Sequence, residues 1–421
     1  MPSKLNNARA ILACPGSAIY TGCYMRVLHV VESTIAGVRT HVQNLATGLD
    51  RHRFQVVVAC PLRRHQSFGD DQFVSYLTRA GISVVPVAMR RTIDLAGDLA
   101  ALRQLIGLVR RERFDLIHLH SSKAGFLGRL AARSVAGTPV VYSPHGLFFL
   151  ADHTPSKRRF YLGLEQFAAH LCDRVIATSP SERATIIDHR IAPPQKVACI
   201  EYGIAVDPLP SAADCADQRR ALSLPLDAPL IGTVARIAAQ KNPQLFVDAA
   251  ALVLQQLPAA HMIWCGDGEL RAEAEARAQA NGIADHCHFL GHREDAAAVL
   301  ATFDLFWLTS DYESFGMATA EAMALERPVV ATDVVGTRDV VVPGQTGVLV
   351  PPRNPRALAN ATLALLHDPD YARALGRRGR ARAIERYTIE RMVRETTQLY
   401  ETLRQVRPAR HAERPVAPYD S

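Results

Sequence analysis

Short runs of apolar, β-branched residues alternate with longer stretches of helical periodicity along most of the chain. In the first half these runs extend from "RVLHVVE" at Arg26 to "KVACI" at Lys196, and longer stretches in which apolar residues recur every three or four positions separate them. Such alternation is typical of βαβ units, in which helices connect parallel strands and cover both faces of the sheet. The pattern predicts a doubly wound α/β domain over residues 25–205.

The alternation stops in a segment rich in proline and aspartate and then resumes. We predict a linker with one short helix over 206–228, a second doubly wound domain over 229–385, and a C-terminal helix over 386–404 that packs back on the first domain. The ends, 1–24 and 405–421, have no apolar periodicity and are predicted to be disordered. Two such sheets would place the ends of their strands around a shared cleft.

Composition narrows the function only a little. The chain has 421 residues, a formal net charge of +7 and eight cysteines. The charge suits an anionic substrate, a nucleic acid or an anionic membrane surface equally well. The cysteines have no CxxC spacing, which argues against a structural zinc site or a disulfide framework and favours a cytoplasmic location. No apolar run reaches the length that a spanning helix needs.

Two basic residues follow the first strand of the second domain. Arg236 and Lys241 lie in "GTVARIAAQKNP", on a loop that leads into a helix. The helix dipole and both side chains would favour a pyrophosphate at this position, although two solvated surface bases remain the alternative. Gly266 follows the next strand, "HMIWC", and we assign it to the same donor-binding wall.

The stretch "DYESFGMATAEAMAL" reads as a strand-to-helix loop followed by a helix. The backbone N–H groups of Phe315, Gly316 and Met317 would point into the cleft, where they suit an oxyanion or a sugar hydroxyl. Glu313 precedes the helix and Glu321 lies inside it, so the two carboxylates would hold different parts of one long ligand. The alternative for each glutamate is a solvated helix face.

The first domain offers the opposite wall. Gly37 lies where a phosphate could approach the start of a helix, and His145 follows a strand in "YSPHGLFF", where it could donate a hydrogen bond or move a proton. His118, His120 and Lys123 in "LIHLHSSKAG" are weaker candidates for the acceptor side. His118 and His120 could equally be ordinary residues of the core or the rim.

Several motifs of other enzymes are missing. The sequence contains no GxSxG, HExxH or GxxxxGK[ST], which removes the main support for a serine hydrolase, a zincin or a P-loop protein. The one D-x-D triplet that stands out, Asp368 and Asp370, lies in a predicted turn between helices, and we interpret it as structural. The missing GxGxxG after the first strand argues against a Rossmann dehydrogenase.

The combination of "ESFGMATAEAM", "PVVAT" and "GQTGVLVPP" resembles the retaining glycosyltransferases of family four, which have the GT-B fold of two Rossmann-like domains facing a central cleft. The resemblance covers residues 25–404. It implies that Glu313 contacts the donor sugar and that Glu321 holds the ribose of the nucleotide. It likewise places Arg236 and Lys241 at the diphosphate. By the same resemblance His145 lies beside the transferred sugar and Gly37 near the donor phosphates.

The resemblance also implies an activity. The enzyme would move a sugar from a UDP- or GDP-sugar to a saccharide or lipid-linked saccharide, as similar bacterial proteins do when they build exopolysaccharide, capsule or lipopolysaccharide. No cofactor or metal is expected, because the two cations can stabilise the leaving diphosphate. Nucleic acid is not an expected partner. The basic and aromatic stretch "PSKRRFYLGLEQF" suggests peripheral contact with an anionic membrane, with solvated helix faces as the alternative.

The chain departs from the family pattern at a few positions. Ala36 stands where a first glycine is common, Tyr202 replaces an asparagine, Thr337 replaces a second glycine, and Glu326 replaces a glycine that would end a helix. Glu326 would then adopt a left-handed conformation at a cost of about 1 kcal/mol. The rival hypotheses are a sugar-nucleotide epimerase on the same fold and a non-catalytic sugar-nucleotide-binding protein.

Overall fold

The computed structural model describes residues 24–62, 70–90, 92–150 and 154–406. The first predicted extension, apart from Tyr24, lies outside these residues, and so does the second beyond Val406. The first domain contains a parallel seven-stranded sheet of order β3-β2-β1-β4-β5-β6-β7. Its strands are β1 (Met25–Val31), β2 (Phe54–Cys60), β3 (Ser83–Pro86), β4 (Leu116–His120), β5 (Val140–Ser143), β6 (Arg174–Ala177) and β7 (Val197–Cys199).

Helices cover both faces of this sheet, which is why nearly every residue of β1 and β4 is buried. The apolar side chains form two cores, one on each side of the strands. The helices of the first domain are α1 (Ala36–Gly48), α2 (Asp70–Arg79), α3 (Leu95–Glu112), α4 (Ser122–Ala132), α5 (Pro155–Ala169) and α6 (Pro180–Asp188).

The second domain repeats the architecture with a parallel six-stranded sheet of order β10-β9-β8-β11-β12-β13. The two sheets confirm the predicted fold class of two doubly wound α/β domains. The strands are β8 (Leu230–Val234), β9 (His261–Cys265), β10 (Cys287–Gly291), β11 (Leu305–Leu308), β12 (Val329–Thr332) and β13 (Val348–Val350).

Two helices show how the segments between and after the sheets attach to the domains. The predicted linker contains α7 (Ala212–Ala221), whose Arg219 donates to the backbone oxygen of Thr302 at 2.7 Å, so this helix packs on the second domain. The last helix, α15 (Ile389–Val406), contacts α1 and buries Tyr400 in the first domain's core. The remaining helices are α8 (Pro243–Leu254), α9 (Arg271–Ala280), α10 (Ala296–Ala301), α11 (Met317–Ala324), α12 (Thr337–Val340), α13 (Pro355–His367) and α14 (Pro369–Arg386).

In each sheet the strand order reverses once, between β1 and β4 and between β8 and β11. Loops on either side of such a reversal leave in opposite directions, so a crevice opens at the carboxyl ends of those strands. Polar contacts join the two domains. One of them is the hydrogen bond that the Ser181 backbone N–H of the first domain donates to Asp339 Oδ2 of the second at 2.9 Å. The crevices of the two sheets therefore face each other across one cleft.

Two local predictions can be compared directly with the backbone. Glu326 has a φ of 58°, which is the left-handed conformation predicted for this position because the family has a glycine there. Asp368 accepts a hydrogen bond from the Tyr371 backbone N–H at 3.0 Å and caps α14, so the D-x-D triplet marks a helix start. Among the described residues, no helix has both the length and the apolar character of a membrane span.

Candidate active site

A cleft of about 1840 Å³ lies between the domains. Turns after the strands of both sheets line it, as expected for open α/β sheets. The predicted site residues on its surface are Gly37, Lys123, His145, Arg236, Lys241, Gly266, Glu313, Gly316, Met317 and Glu321.

The second-domain wall is built around an ion pair. Lys241 ends a short 3₁₀ turn after β8, and Glu313 lies in the loop after β11, the strand next to β8 in the sheet. The Lys241 ammonium contacts Glu313 Oε1, and the Ser310 hydroxyl donates to the same oxygen at 2.6 Å. Sheet order thus brings together two residues that are 72 positions apart, and it holds a cation and a carboxylate at the cleft surface.

Arg236 lies on the same wall, in the turn that follows β8. Its guanidinium forms a partly exposed ion pair with Glu269 at 3.4 Å. Gly266 follows β9 and packs against this turn: a Cβ at Gly266 would lie 2.0 Å from the backbone oxygen of Ala235. Glycine is therefore required for the two turns to meet, a structural reason that the sequence alone did not reveal.

The E-x7-E stretch forms a loop and the start of α11. Gly316 caps α11 with a φ of 87°, and Met317 is the first residue of the helix. Glu321 lies one turn further along, and burial raises the pKa of its carboxyl from 4.5 to about 7. A carboxyl that titrates near neutral pH at a cleft surface is a candidate ligand-binding group.

The Phe315 side chain does not line the cleft. Its ring is fully buried and packs edge-to-face on Tyr202 at 5.4 Å and on Tyr387 at 5.1 Å between ring centroids. The predicted contribution of Phe315 to a ligand site rested on its backbone N–H. The side chain instead anchors the loop to the core, because a large apolar ring is more stable when buried.

The first-domain wall centres on His145 and Gly146, which follow β5. His145 has a φ of 57°, which is unusual for a residue with a side chain. The Gly146 backbone N–H donates to Glu182 Oε1 at 3.0 Å, and the other carboxylate oxygen accepts from the Thr178 backbone and hydroxyl. Glu182 therefore fixes the His-Gly turn. Glu182 was not among the residues predicted from the sequence, although "SPSE" is a typical helix-start pattern.

Tyr202 is a second residue that the sequence analysis did not place in the site. Its hydroxyl bonds to His145 Nδ1 at 2.6 Å, and the two rings stack with their centroids 5.5 Å apart. The same tyrosine packs on Phe315 of the opposite domain. The only indication in the sequence was that Tyr202 stands where the family has an asparagine. The structure shows that Tyr202 links the two walls.

Five histidines form a cluster behind this wall. His120 lies between two of them: its Nε2 is 2.9 Å from His29 Nδ1, and its Nδ1 is 2.8 Å from His145 Nε2. His118 bonds instead to the Tyr400 hydroxyl at 2.6 Å and the Ser143 hydroxyl at 2.8 Å. The members of the cluster are His29, His41, His118, His120 and His145.

The cluster is neutral at physiological pH. Burial lowers the pKa of His29 and of His145 from 6.5 to about 3. Burial, reinforced by the neighbouring imidazoles, also lowers the pKa of His41, His118 and His120 well below 6.5. His118 and His120 are fully buried on the central strand β4 and do not line the cleft. They support the wall from behind, so the structure does not give them the direct acceptor contact suggested by the sequence.

Lys123, the remaining acceptor-side candidate, does line the cleft. It lies in the first turn of α4, and its ammonium forms a mostly buried ion pair with Asp98 at 2.7 Å. It also donates to the backbone oxygen of Thr92. Its charge is therefore already balanced by a neighbour from α3.

The two walls also approach each other at Gly37 and at Gly146. A Cβ at Gly37 would lie 3.7 Å from Met317 Cε, and a Cβ at Gly146 would lie 3.9 Å from Ser314 Cβ. The His-Gly turn therefore faces the loop that carries Glu313. The arrangement can hold a long ligand with its anionic part near Lys241 and its other end beside His145.

Two family models together match most of the chain. The model described as "Glycosyl transferase 4-like domain" matches residues 36–203, and the one described as "Glycosyl transferases group 1" matches residues 214–382. The two matches fall on the first and second domains respectively.

Named relatives match this chain over most of their length. The chain is 32% identical to a D-inositol 3-phosphate glycosyltransferase of Thermobispora bispora, over 67% of this chain and 70% of that protein. It is 29% identical to an Escherichia coli UDP-Gal:alpha-D-GlcNAc-diphosphoundecaprenol alpha-1,3-galactosyltransferase, over 74% of this chain and 81% of that protein. The crystal structure of Anabaena Alr3699/HepE with UDP and glucose superposes with a TM-score of 0.78 at 23% identity, covering 90% of this chain and all of that one.

Proposed function

Because the chain belongs to the group 1 glycosyl transferases, we propose that it transfers a sugar from a UDP- or GDP-sugar to a saccharide or lipid-linked saccharide, with retention of configuration. The acceptor would serve the assembly of an exopolysaccharide, capsule or lipopolysaccharide. The observation that carries the proposal is the position of Lys241 and Glu313 at the strand reversal of the second sheet, opposite His145.

The donor would lie across the cleft along the second wall. Arg236 and Lys241 would bind the diphosphate, helped by the N-terminus of α11 at Gly316. Glu321 would accept hydrogen bonds from the ribose hydroxyls, and Glu313 would contact the donor sugar. The Lys241–Glu313 ion pair keeps both groups in place before the donor arrives, which lowers the cost of ordering them.

The reaction would be a same-face displacement. Lys241 and Arg236 stabilise the negative charge that develops on the leaving diphosphate, and the departing phosphate oxygen accepts the acceptor's proton. The His145 turn would contact the transferred sugar from the first wall, and its backbone is fixed by Gly146 and Glu182. Closure of the two domains would exclude water, which otherwise hydrolyses the donor.

A lipid-linked acceptor suits the edge of the first domain. The first turns of α5 expose Lys157, Arg158 and Arg159 beside Phe160, whose side chain is 56% exposed and borders the cleft. Basic residues next to an exposed aromatic ring suit the surface of an anionic membrane. We expect the protein to float with anionic vesicles at low salt and to lose this binding in the double variant Arg158→Glu, Arg159→Glu. Failure of the wild type to float would refute membrane contact.

The central proposal is tested with a panel of UDP-, GDP- and ADP-sugars. Purified protein is screened for a thermal shift and for slow donor hydrolysis, with Glu321→Ala as the binding variant and Glu273→Ala, on the exposed face of α9, as its control. We expect one nucleotide sugar to stabilise the wild type and Glu273→Ala but not Glu321→Ala. If no nucleotide sugar has an effect, the proposed donor site is wrong.

A further inference from the structure

We propose that His41, His120 and His145 bind a divalent first-row transition metal ion, such as Zn²⁺, behind the first wall of the cleft. Their ligand nitrogens lie within 4.8 Å of one another. Three imidazoles around a tetrahedral ion, each about 2.0–2.1 Å from it, would have their nitrogens roughly 3.3 Å apart. Small rotations of the rings are therefore enough to form the site.

The hydrogen bonds of the cluster already orient two of the three ligands. His145 Nδ1 bonds to the Tyr202 hydroxyl, and His120 Nε2 bonds to His29 Nδ1. In the metal-bound state each of these nitrogens carries the proton, so His145 Nε2 and His120 Nδ1, 2.8 Å apart, both offer lone pairs to the cation in place of their mutual hydrogen bond. Metal-binding histidines are held in this way, with the second nitrogen donating to a neighbouring group.

The surroundings of His41 are a separate indication of a bound metal ion. It is buried in α1, and its ring centroid lies 4.7 Å from that of His145. Neither of its ring nitrogens has a hydrogen-bond partner among the residues that the structure describes. A buried imidazole without hydrogen-bond partners destabilises the fold, and a bound ion would remove that cost.

The chemistry of the ligands selects the class of metal. Three neutral imidazoles suit Zn²⁺, Co²⁺, Ni²⁺ or Cu²⁺, whereas Mg²⁺ and Ca²⁺ require oxygen ligands. The alternative trio His29, His118 and His120 is less suitable, because both ring nitrogens of His118 are already bonded to Tyr400 and Ser143. The expectation that catalysis needs no metal concerned the diphosphate, which would lie on the other wall.

The proposal does not depend on the identity of the donor, because metal binding is measured directly. Full-length protein is stripped with a chelator and titrated with Zn²⁺ or Co²⁺ alone, with calorimetry and cobalt absorption spectra as readouts. We expect one equivalent to bind and to give the intense visible bands of tetrahedral Co²⁺. X-ray absorption should show imidazole nitrogens at about 2.0–2.1 Å from Zn²⁺. An octahedral cobalt spectrum, or no binding, would overturn the proposal without any variant.

Two variants locate the ion. His41→Asn removes a ligand and should weaken binding by at least about tenfold to a hundredfold, the range seen when support of a metal site is lost. His288→Asn is the control, because His288 belongs to a separate histidine group with His261 and His286 in the second domain. Binding that survives His41→Asn but is lost in His288→Asn would assign the metal to that other group and refute the site.

Discussion

The two walls of the cleft come from domains of the same architecture, yet they differ in chemistry. The second-domain wall carries paired charges: Lys241 forms an ion pair with Glu313, and Arg236 forms one with Glu269. The first-domain wall carries neutral, hydrogen-bonded rings, with His145 between Tyr202 and His120. The fold determines which positions line the cleft, and the residue types after each strand determine what the cleft can bind.

The backbones of the two walls differ as well. On the second wall the positive-φ residues are the glycines Gly266, Gly316 and Gly336 and also Asn242, a residue type that tolerates this conformation. On the first wall Ala36, Ser121 and His145 adopt positive φ although each has a Cβ. The first wall therefore stores more backbone strain, which commonly accompanies functional sites.

The largest expected effect tests the charged wall. Lys241→Ala removes a cation that would stabilise the leaving diphosphate, and we expect the rate of sugar transfer to fall about 10²–10³-fold. Steady-state kinetics with the identified donor measure it. Lys196→Ala, outside the cleft, should keep the wild-type rate. A Lys241→Ala enzyme of normal rate would remove this residue from the mechanism.

The next effect concerns Glu321. Glu321→Gln should weaken donor binding by about 10–100-fold, because a hydrogen bond to a charged group contributes about 1.5–3 kcal/mol. Wild-type affinity should rise as the pH increases through about 7, where the carboxyl ionises, and the variant should lose this dependence. Calorimetric titration over roughly one pH unit on each side of this transition measures both effects.

The same residue should make the ligand-free enzyme less stable at high pH. The pKa of Glu321 is higher in the folded protein than its usual 4.5, so its contribution to stability is fully present below pH 4.5 and is lost as the pH rises to about 7. Glu321→Gln should therefore raise the Tm relative to wild type more at alkaline pH than at acidic pH. An equal change in Tm at both would show that the carboxyl does not titrate as stated.

A smaller effect tests the neutral wall. Tyr202→Phe removes the hydroxyl that holds His145, and we expect kcat to fall about 3–10-fold, since a neutral hydrogen bond contributes about 0.5–1.5 kcal/mol. Tyr400→Phe is the matched control, because it removes an equivalent bond to His118 deeper in the core. If both variants lower kcat equally, the effect is one of general stability, and Tyr202 has no special role.

The smallest expected effect tests the backbone comparison. Ala36→Gly should relieve the left-handed strain and stabilise the protein by up to about 1 kcal/mol, partly offset by the greater freedom of glycine in the unfolded chain. The matched variant Ala272→Gly, on the exposed face of α9, should instead destabilise by about 0.5–1 kcal/mol. Thermal unfolding measures both, and a destabilised Ala36→Gly would contradict the claim of strain.

The second wall was the more predictable one from the sequence. Glu313, Glu321, Arg236 and Lys241 are polar or charged residues directly after strands, and all four line the cleft. The first wall was harder to predict, because its histidines alternate with apolar residues in a buried strand and look like core residues. His118 and His120 are indeed buried, Tyr202 was noted only as a departure from the family pattern, and Glu182 was not identified.

The sequence by itself determined the two parallel sheets, the cleft between them and the family. Apolar periodicity and strand-end motifs involve residues that are close in the chain, so they can be recognised without the tertiary structure. Only the tertiary structure decided that Lys241 rests on Glu313, that Glu182 fixes the turn after His145, and that five histidines form one cluster. These contacts join residues far apart in the chain. Their existence depends on strand order and on the docking of two domains, which no local pattern encodes.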